Sequence, residues 1–240
     1  SRIDFSLLDQ TGPVQWPYRN ESTPRLYTDG RFPTSNGRAH FVDVGFIAPA
    51  ETISAHFPLR LTTGRLRDHW HTMTRTGLSA TLIRHVEEPA IHLHPEDMTR
   101  YRLADQALAR IKSRRGQIVL PVQADDSLTP GCAFLPMHWG SRAMGGGGIN
   151  VLTHGATDPY SFQPELKHCV IAVDAFRPHW QAVAWIRGDA AALQRTLSDW
   201  LEAFDYGVAV PVATGGGGLR LRFAARTSPE RAQIERLLDH

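Results

Sequence analysis

Thr63-Gly64-Arg65-Leu66-Arg67-Asp68-His69-Trp70-His71-Thr72-Met73-Thr74-Arg75-Thr76-Gly77 follows directly on the apolar, strand-like Phe57-Pro58-Leu59-Arg60-Leu61. The run crowds three arginines, two histidines, a tryptophan and four threonines into one short segment, a composition that a hydrophobic core does not require. Each residue type suits a flat, hydrogen-bonding, anionic ligand. Arg65, Arg67 and Arg75 can fork onto phosphate or carboxylate, and Trp70 offers a face for stacking. Gly64 lets another backbone or a ligand approach closely. The plainer interpretation, a polar loop around a half-buried tryptophan, explains any one of these residues and not their clustering.

Working outward, three further blocks stand in order around this run. Upstream is Arg25-Leu26-Tyr27-Thr28-Asp29-Gly30-Arg31-Phe32-Pro33-Thr34-Ser35-Asn36-Gly37-Arg38-Ala39. Downstream come Ile91-His92-Leu93-His94-Pro95-Glu96-Asp97, then Phe134-Leu135-Pro136-Met137-His138-Trp139-Gly140, and last the block from Asn150-Val151-Leu152-Thr153-His154-Gly155 to Pro164-Glu165-Leu166-Lys167. Together with the Thr-Gly-Arg and Trp-His-Thr elements of the first run, they resemble the C-terminal dinucleotide-binding domain of molybdopterin oxidoreductases of the dimethyl-sulfoxide-reductase type. The nitrate reductases are most similar, and the block around His138 looks like the assimilatory ones.

The resemblance implies a six-stranded double-psi β-barrel of the aspartate-decarboxylase-like kind. It implies contacts to molybdopterin guanine dinucleotide from Thr63, Gly64, Arg65, Asp68, His69, Trp70, His71 and Thr72, with Asn150 and Lys167 as two further contact positions. Their chemistry agrees: hydroxyls and an amide meet a pterin edge, Arg65 forks onto an acceptor pair, and Lys167 supplies a point charge. A structural turn and a surface lysine are the plain alternatives for Asn150 and Lys167. His138 and Trp139 fall where the resemblance puts residues near the substrate funnel, and both equally suit a cap on the barrel mouth. The segment from Gly140 to Asn150, with Gly145 to Gly148, is longer and richer in glycine than the family pattern.

The remainder of the chain sets bounds. A length of 240 residues is enough for a real core and for one large or two small domains. Twenty-six basic against 24 acidic side chains leave a formal charge of +2, so no broad basic face suggests nucleic acid or a membrane surface. Any anion binding must come from local arginine clusters. No apolar run approaches the roughly 20 residues of a membrane span and the N-terminus lacks a signal-like pattern, which gives a cytoplasmic expectation. Cys132 and Cys169 lie in apolar runs and read as buried free thiols, too few for a four-thiolate cluster. Complete enzymes of the resembled family carry a 4Fe-4S segment and a bis-molybdopterin guanine dinucleotide with molybdenum. The chain is therefore expected to be a C-terminal piece that works with the remaining domains of a nitrate-reducing parent, is inactive alone and holds no cofactor alone.

Periodicity places strands at Leu59 to Thr62, Ala90 to Leu93, Ala107 to Ile111, Gln117 to Gln123, Cys132 to Met137 and His168 to Val173, with a helix opening at Pro95. Six strands suit a small closed barrel over residues 57–176. Residues 1–56 read as an extended arm and a hairpin-like lead-in, with turns at Asp29-Gly30 and Ser35-Asn36-Gly37. Residues 177–240 read as a small α+β extension of order β-α-β-β-α. In it Asp189 caps a helix carrying Leu193, Leu197, Trp200, Leu201 and Phe204, and Gly215 to Gly218 join two strands. No Lys-Ser or Lys-Thr pair follows those glycines, so they are no phosphate loop.

Four other functions are weighed. His69 with His71 and His92 with His94 would share a strand face, and Asp68, Glu96 or Asp97 would complete a zinc site. No helical His-Glu-x-x-His spacing supports that, and no Gly-x-Ser-x-Gly supports a serine nucleophile. A related molybdopterin enzyme such as a formate dehydrogenase, and a stand-alone barrel that binds a partner, remain as alternatives to the nitrate reductase.

Overall fold

The computed structural model describes residues 3–18, 21, 25–212 and 217–238. It divides into two compact units, Ser1–Ala48 and Pro49–His240.

Among the described residues the first unit holds one helix, α1 (Phe5–Thr11), started by Asp4, whose carboxylate accepts from the Leu7 N–H at 2.8 Å. This corrects the extended-arm reading: an aspartate cap before Phe5-Ser6-Leu7-Leu8 suffices for two turns despite Gly12 and Pro13. The turns at Gly30 and Gly37 form, each glycine at φ +70°, but no strand pairs across them among the described residues. The lead-in is therefore not a hairpin. Beyond it Phe41, Val44 and Phe46 are 99%, 79% and 90% exposed.

The second unit is built on a closed barrel of β1 (Leu59–Gly64), β2 (Ile91–Leu93), β3 (Leu108–Lys112), β4 (Gln117–Ala124), β5 (Cys132–Pro136) and β6 (Cys169–Ala175). Around the barrel the order is β1-β5-β2-β4-β3-β6. Strands β1 and β5, and β2 and β4, run parallel, and the other neighbours are antiparallel. Alternation drives the closure, since Leu59, Leu61, Ile91, Leu93, Ile111, Leu120, Leu135 and Ile171 all point inward and are at most 1% exposed. Each such side chain contributes about 1.5–3 kcal/mol by leaving water. Two short helices, α2 (Ala80–Ile83) and α3 (Pro95–Tyr101), lie between strands, and His94 caps α3 by accepting from the Glu96 N–H.

The extension follows the expected order: β7 (Trp180–Arg187), α4 (Ala190–Leu201), β8 (Tyr206–Pro211), β9 (Gly218–Ala225) and α5 (Arg231–Leu238). Asp189 caps α4 by accepting from the Ala192 N–H at 2.8 Å. The sheet order is β7-β9-β8, all antiparallel. Gly215 and Gly216 of the expected glycine link lie outside the described residues. One face of the sheet packs Leu219, Leu221 and Phe223 against Leu197, Trp200 and Leu201 of α4. On the other, Tyr206, Val208 and Val210 join the barrel core.

The glycine-rich segment that departs from the family pattern makes this second contact. Gly145 N–H donates to Gly207 O and Ala209 N–H to Ala143 O, both at 2.9 Å, while the Gly146 and Gly147 N–H groups donate to the Glu202 carboxylate at the end of α4. A Cβ at Gly145 would stand 2.5 Å from Leu201 O, so a backbone approach too close for any side chain forms part of the seam; one at Gly148 would stand 2.8 Å from Gly140 Cα within the loop itself.

Candidate functional site

The parallel pairing of β1 and β5 sets the site. Gly64 lies opposite Pro136, so the loops leaving these strands, 65–78 and 137–148, emerge at one end of the barrel. Thr63 is buried there: its hydroxyl donates to Leu166 O at 2.8 Å, and its own carbonyl accepts from Lys167 Nζ at 2.6 Å. This reciprocal clamp ties the end of β1 to the segment before β6. A Cβ at Gly64 would stand 2.5 Å from the Phe134 ring, which explains the glycine by cross-strand packing.

His138 organises the first loop. Its Nε2 accepts from the Leu66 N–H at 2.8 Å and its Nδ1 donates to His71 O at 2.6 Å, which requires a neutral ring protonated at Nδ1. It is 1% exposed, as is Trp139, and His69 packs edge-on against both. Neither His138 nor Trp139 faces solvent in this chain. Asn150 follows closely, since its short helical turn begins where Ile149 N–H bonds Trp139 O.

The loop itself sorts the expected residues into two sets. Thr63, Gly64 and His69 are buried, and both Asp68 oxygens are engaged, by Arg67 at 3.1 Å and by His85 Nδ1 at 2.6 Å. Arg65, Trp70, His71 and Thr72 are exposed. The Arg65 guanidinium lies 4.8 Å from the Trp70 ring centroid, and His71 and Met73 take positive φ, turning the loop. His69 and His71 lie in this turn and on no strand, which removes the shared-face geometry of the zinc reading. No group of three His, Cys, Asp or Glu side chains able to hold a metal occurs among the described residues. No helix among them is long and apolar enough to cross a membrane.

Burial holds both His69 and His138 below the ordinary histidine value. For His69 the neighbouring His138 adds to this and Asp68 opposes it; for His138 the bond to the His71 carbonyl opposes it and Arg65 adds to it. The unfolded chain therefore takes up protons near pH 6.5 while the folded chain refuses them. Their stabilisation is complete above about pH 6.5 and is lost as pH falls from there through the depressed folded values. We expect the melting temperature to drop between about pH 7.5 and pH 5.5, and to drop less in His69→Gln. A profile flat over that range in the unmodified chain would contradict the neutral, buried pair.

Two features had no counterpart in the sequence reading. Glu51 receives a two-pronged bond from Arg115 at 2.6 and 3.1 Å and accepts from the Val170 N–H, fastening residues 49–52 to the barrel. Glu88 joins Tyr206 and Arg222 at the seam with the extension. Their partners lie 64 to 134 positions away, so nothing local announces them.

Comparison with known proteins adds the following. Residues 59–170 match the model of the molydopterin dinucleotide binding domain. A nitrate reductase of Klebsiella oxytoca is 37% identical over 180 residues, covering 75% of this chain and 20% of that protein. A nitrate reductase of Synechocystis sp. is 40% identical over 180 residues, covering 72% and 25%. The F420-dependent formate dehydrogenase subunit alpha of Methanocaldococcus jannaschii is 31% identical over 163 residues, covering 67% and 24%. The chain thus spans a quarter or less of the length of these curated relatives.

Proposed function

Since residues 59–170 belong to the molydopterin dinucleotide binding domain family, we propose that this chain is the cofactor-holding part of a cytoplasmic, assimilatory nitrate reductase, acting with the other domains of a longer enzyme. The observation that carries the reading is the exposed edge Arg65-Trp70-His71-Thr72 held over a buried pin at His138. A guanidinium, a flat indole, an imidazole and a hydroxyl on one rigid edge fit an anionic group made of flat heterocycles and a pyrophosphate. When bound in the complete enzyme, a molybdenum centre carried by two such dinucleotides supplies oxygen-atom transfer and electrons for reducing nitrate to nitrite.

The chain's own residues bind and orient. Arg65 and His71 contact the anionic and ring-edge acceptors, Trp70 covers a ring face, Thr72 adds a hydroxyl, and Asn150 offers a donor and an acceptor. Thr63, Gly64, Asp68, His69 and Lys167 act one layer behind, shaping the edge through the clamp and the loop ties described above. His138 and Trp139 support the loop from within, and substrate reaches them only through movement or rearrangement of that loop.

In the intact parent, Arg65→Ala and His71→Ala are expected to lower molybdenum content about tenfold while leaving the melting temperature within about 1–2 °C. The loss of one charge-assisted hydrogen bond is worth about 1.5–3 kcal/mol, whereas exposed side chains contribute little to folding. Full molybdenum content with a sharply lowered melting temperature would reduce the loop to a structural role. A formate-oxidising parent is the second reading, favoured by the relative named as a formate dehydrogenase. Turnover of formate and not nitrate by the intact parent would select it.

A further inference from the structure

The three-stranded sheet of the extension has two edges, and they differ. Along β8 the edge is sealed: Gly145 N–H donates to Gly207 O, Ala209 N–H donates to Ala143 O, and Met144 pairs with Val208. Along β7 it is open. All eight residues from Trp180 to Arg187 pair with β9, and among the described residues their other side meets no backbone partner. Proteins ordinarily blunt such an edge with a proline, a bulge, a lysine or a short strand. β7 has none of these: Trp180-Gln181-Ala182-Val183-Ala184-Trp185-Ile186-Arg187 is long, in continuous register and uncharged up to its last residue. Val183 and Trp185 stand opposite Arg222 and Arg220, on the sheet face away from α4, and are 45% and 66% exposed.

Sheet order specifies what belongs there. β7 and β8 both run antiparallel to β9, so they are parallel to each other, and α4 joins them across the strand between. β9 and α5 begin the same kind of crossover again. α5 lies on the α4 face, since Ile234 packs in the α4 cluster and the Trp200 indole N–H donates to Gln233 O at 2.6 Å. Crossovers between parallel strands keep one hand. Because β9 runs opposite to β7 with its helix on the same face, the same hand carries the second crossover the other way, over β7 and away from the sealed β8 edge. Its end is a strand parallel to β9 and therefore antiparallel to β7. We propose that β7 takes a fourth strand, in this orientation, from the segment of the longer enzyme's polypeptide that continues from α5, completing a β-α-β-β-α-β module. One face of that strand covers Val183 and Trp185, and the other continues the core beneath α4 and α5.

Two measurements on the intact parent test this. In hydrogen–deuterium exchange, the peptide covering residues 180–187 is expected to exchange about tenfold or more slowly in the parent than in the 240-residue chain. Disulfide trapping then identifies the strand. Trp185→Cys and Val183→Cys are each combined with single cysteines along the first strand-forming segment after α5, and each should trap one partner position. The position trapped by Val183→Cys should lie two residues later than that trapped by Trp185→Cys, as antiparallel pairing demands. Both side chains are exposed in this chain, so neither substitution should move its melting temperature by more than about 2 °C. A partner position two residues earlier, no trapped position, or exchange as fast in the parent as in the 240-residue chain would overturn the proposal. So would a parent with no strand-forming segment after α5, or dimerisation of the Trp185→Cys variant through β7 in its place. Molybdenum content enters neither readout, so this reading and the cofactor reading fail separately.

Discussion

Replacing His138 by alanine is expected to lower the melting temperature of the chain by about 6–12 °C, from a loss of about 3 kcal/mol at roughly 2–4 °C per kcal/mol for a chain of this size. One ring satisfies both the Leu66 N–H and the His71 carbonyl, so its removal strands a donor and an acceptor in a partly buried place. Each unmet group costs about 1 kcal/mol or more, and the void left beside His69 and Trp139 adds a comparable amount. His138→Gln keeps one donor and one acceptor on a side chain of similar reach and should recover part of the loss. Calorimetry of the three proteins decides it: a shift under about 2 °C in His138→Ala would mean that the loop holds its shape without the pin.

The second large effect is expected at Glu51. Its carboxylate is only 10% exposed, and Arg115 foremost, helped by the Val170 N–H and opposed by burial, holds it below the usual carboxylate range. Glu51→Ala leaves the Arg115 guanidinium with only the Leu152 carbonyl and the Val170 N–H with nothing. Breaking a buried pair from one side costs about 3 kcal/mol or more. Glu51→Gln retains the shape without the charge and should fall between. In the unmodified chain this stabilisation is present above the unfolded carboxylate pKa and disappears as pH falls through the lowered folded value, so the Glu51→Ala deficit should shrink in acid. A deficit that stayed constant from neutral pH to about pH 3 would point to packing instead of charge.

What could be read from the residues and what could not divide along range. All six barrel strands are legible because Leu59, Leu61, Ile91, Leu93 and their counterparts alternate between turn signals, and Asp189 announces α4 by a cap only three residues from the N–H it accepts. The resembled motifs name the loop residues as one group. Which of them face outward was not legible: that depends on the positive φ at His71 and Met73 and on His138, whose partners lie 67 and 72 positions away. The glycines from 145 to 148 looked like surplus loop. Their meaning comes from Glu202 and Leu201, whose approach across the fold no local pattern encodes. At the N-terminus the turn glycines are right and the strands around them absent, since a strand needs a neighbour to supply its hydrogen bonds.

The closure of the barrel also has a consequence in time. β1 is flanked by β5 and β6, and β6 begins about 110 residues after β1 starts. At about 5–20 residues per second, a ribosome needs roughly 6–22 s to make that stretch, and through it β1 waits with an apolar edge unpaired. Neighbouring β3 and β4 can zip within that interval as a local hairpin, but β1 cannot. During synthesis β1 is therefore the strand most open to pairing with another nascent chain. Slower translation between the completion of β1 and the emergence of β6 lengthens its exposure, and slower translation before β1 does not.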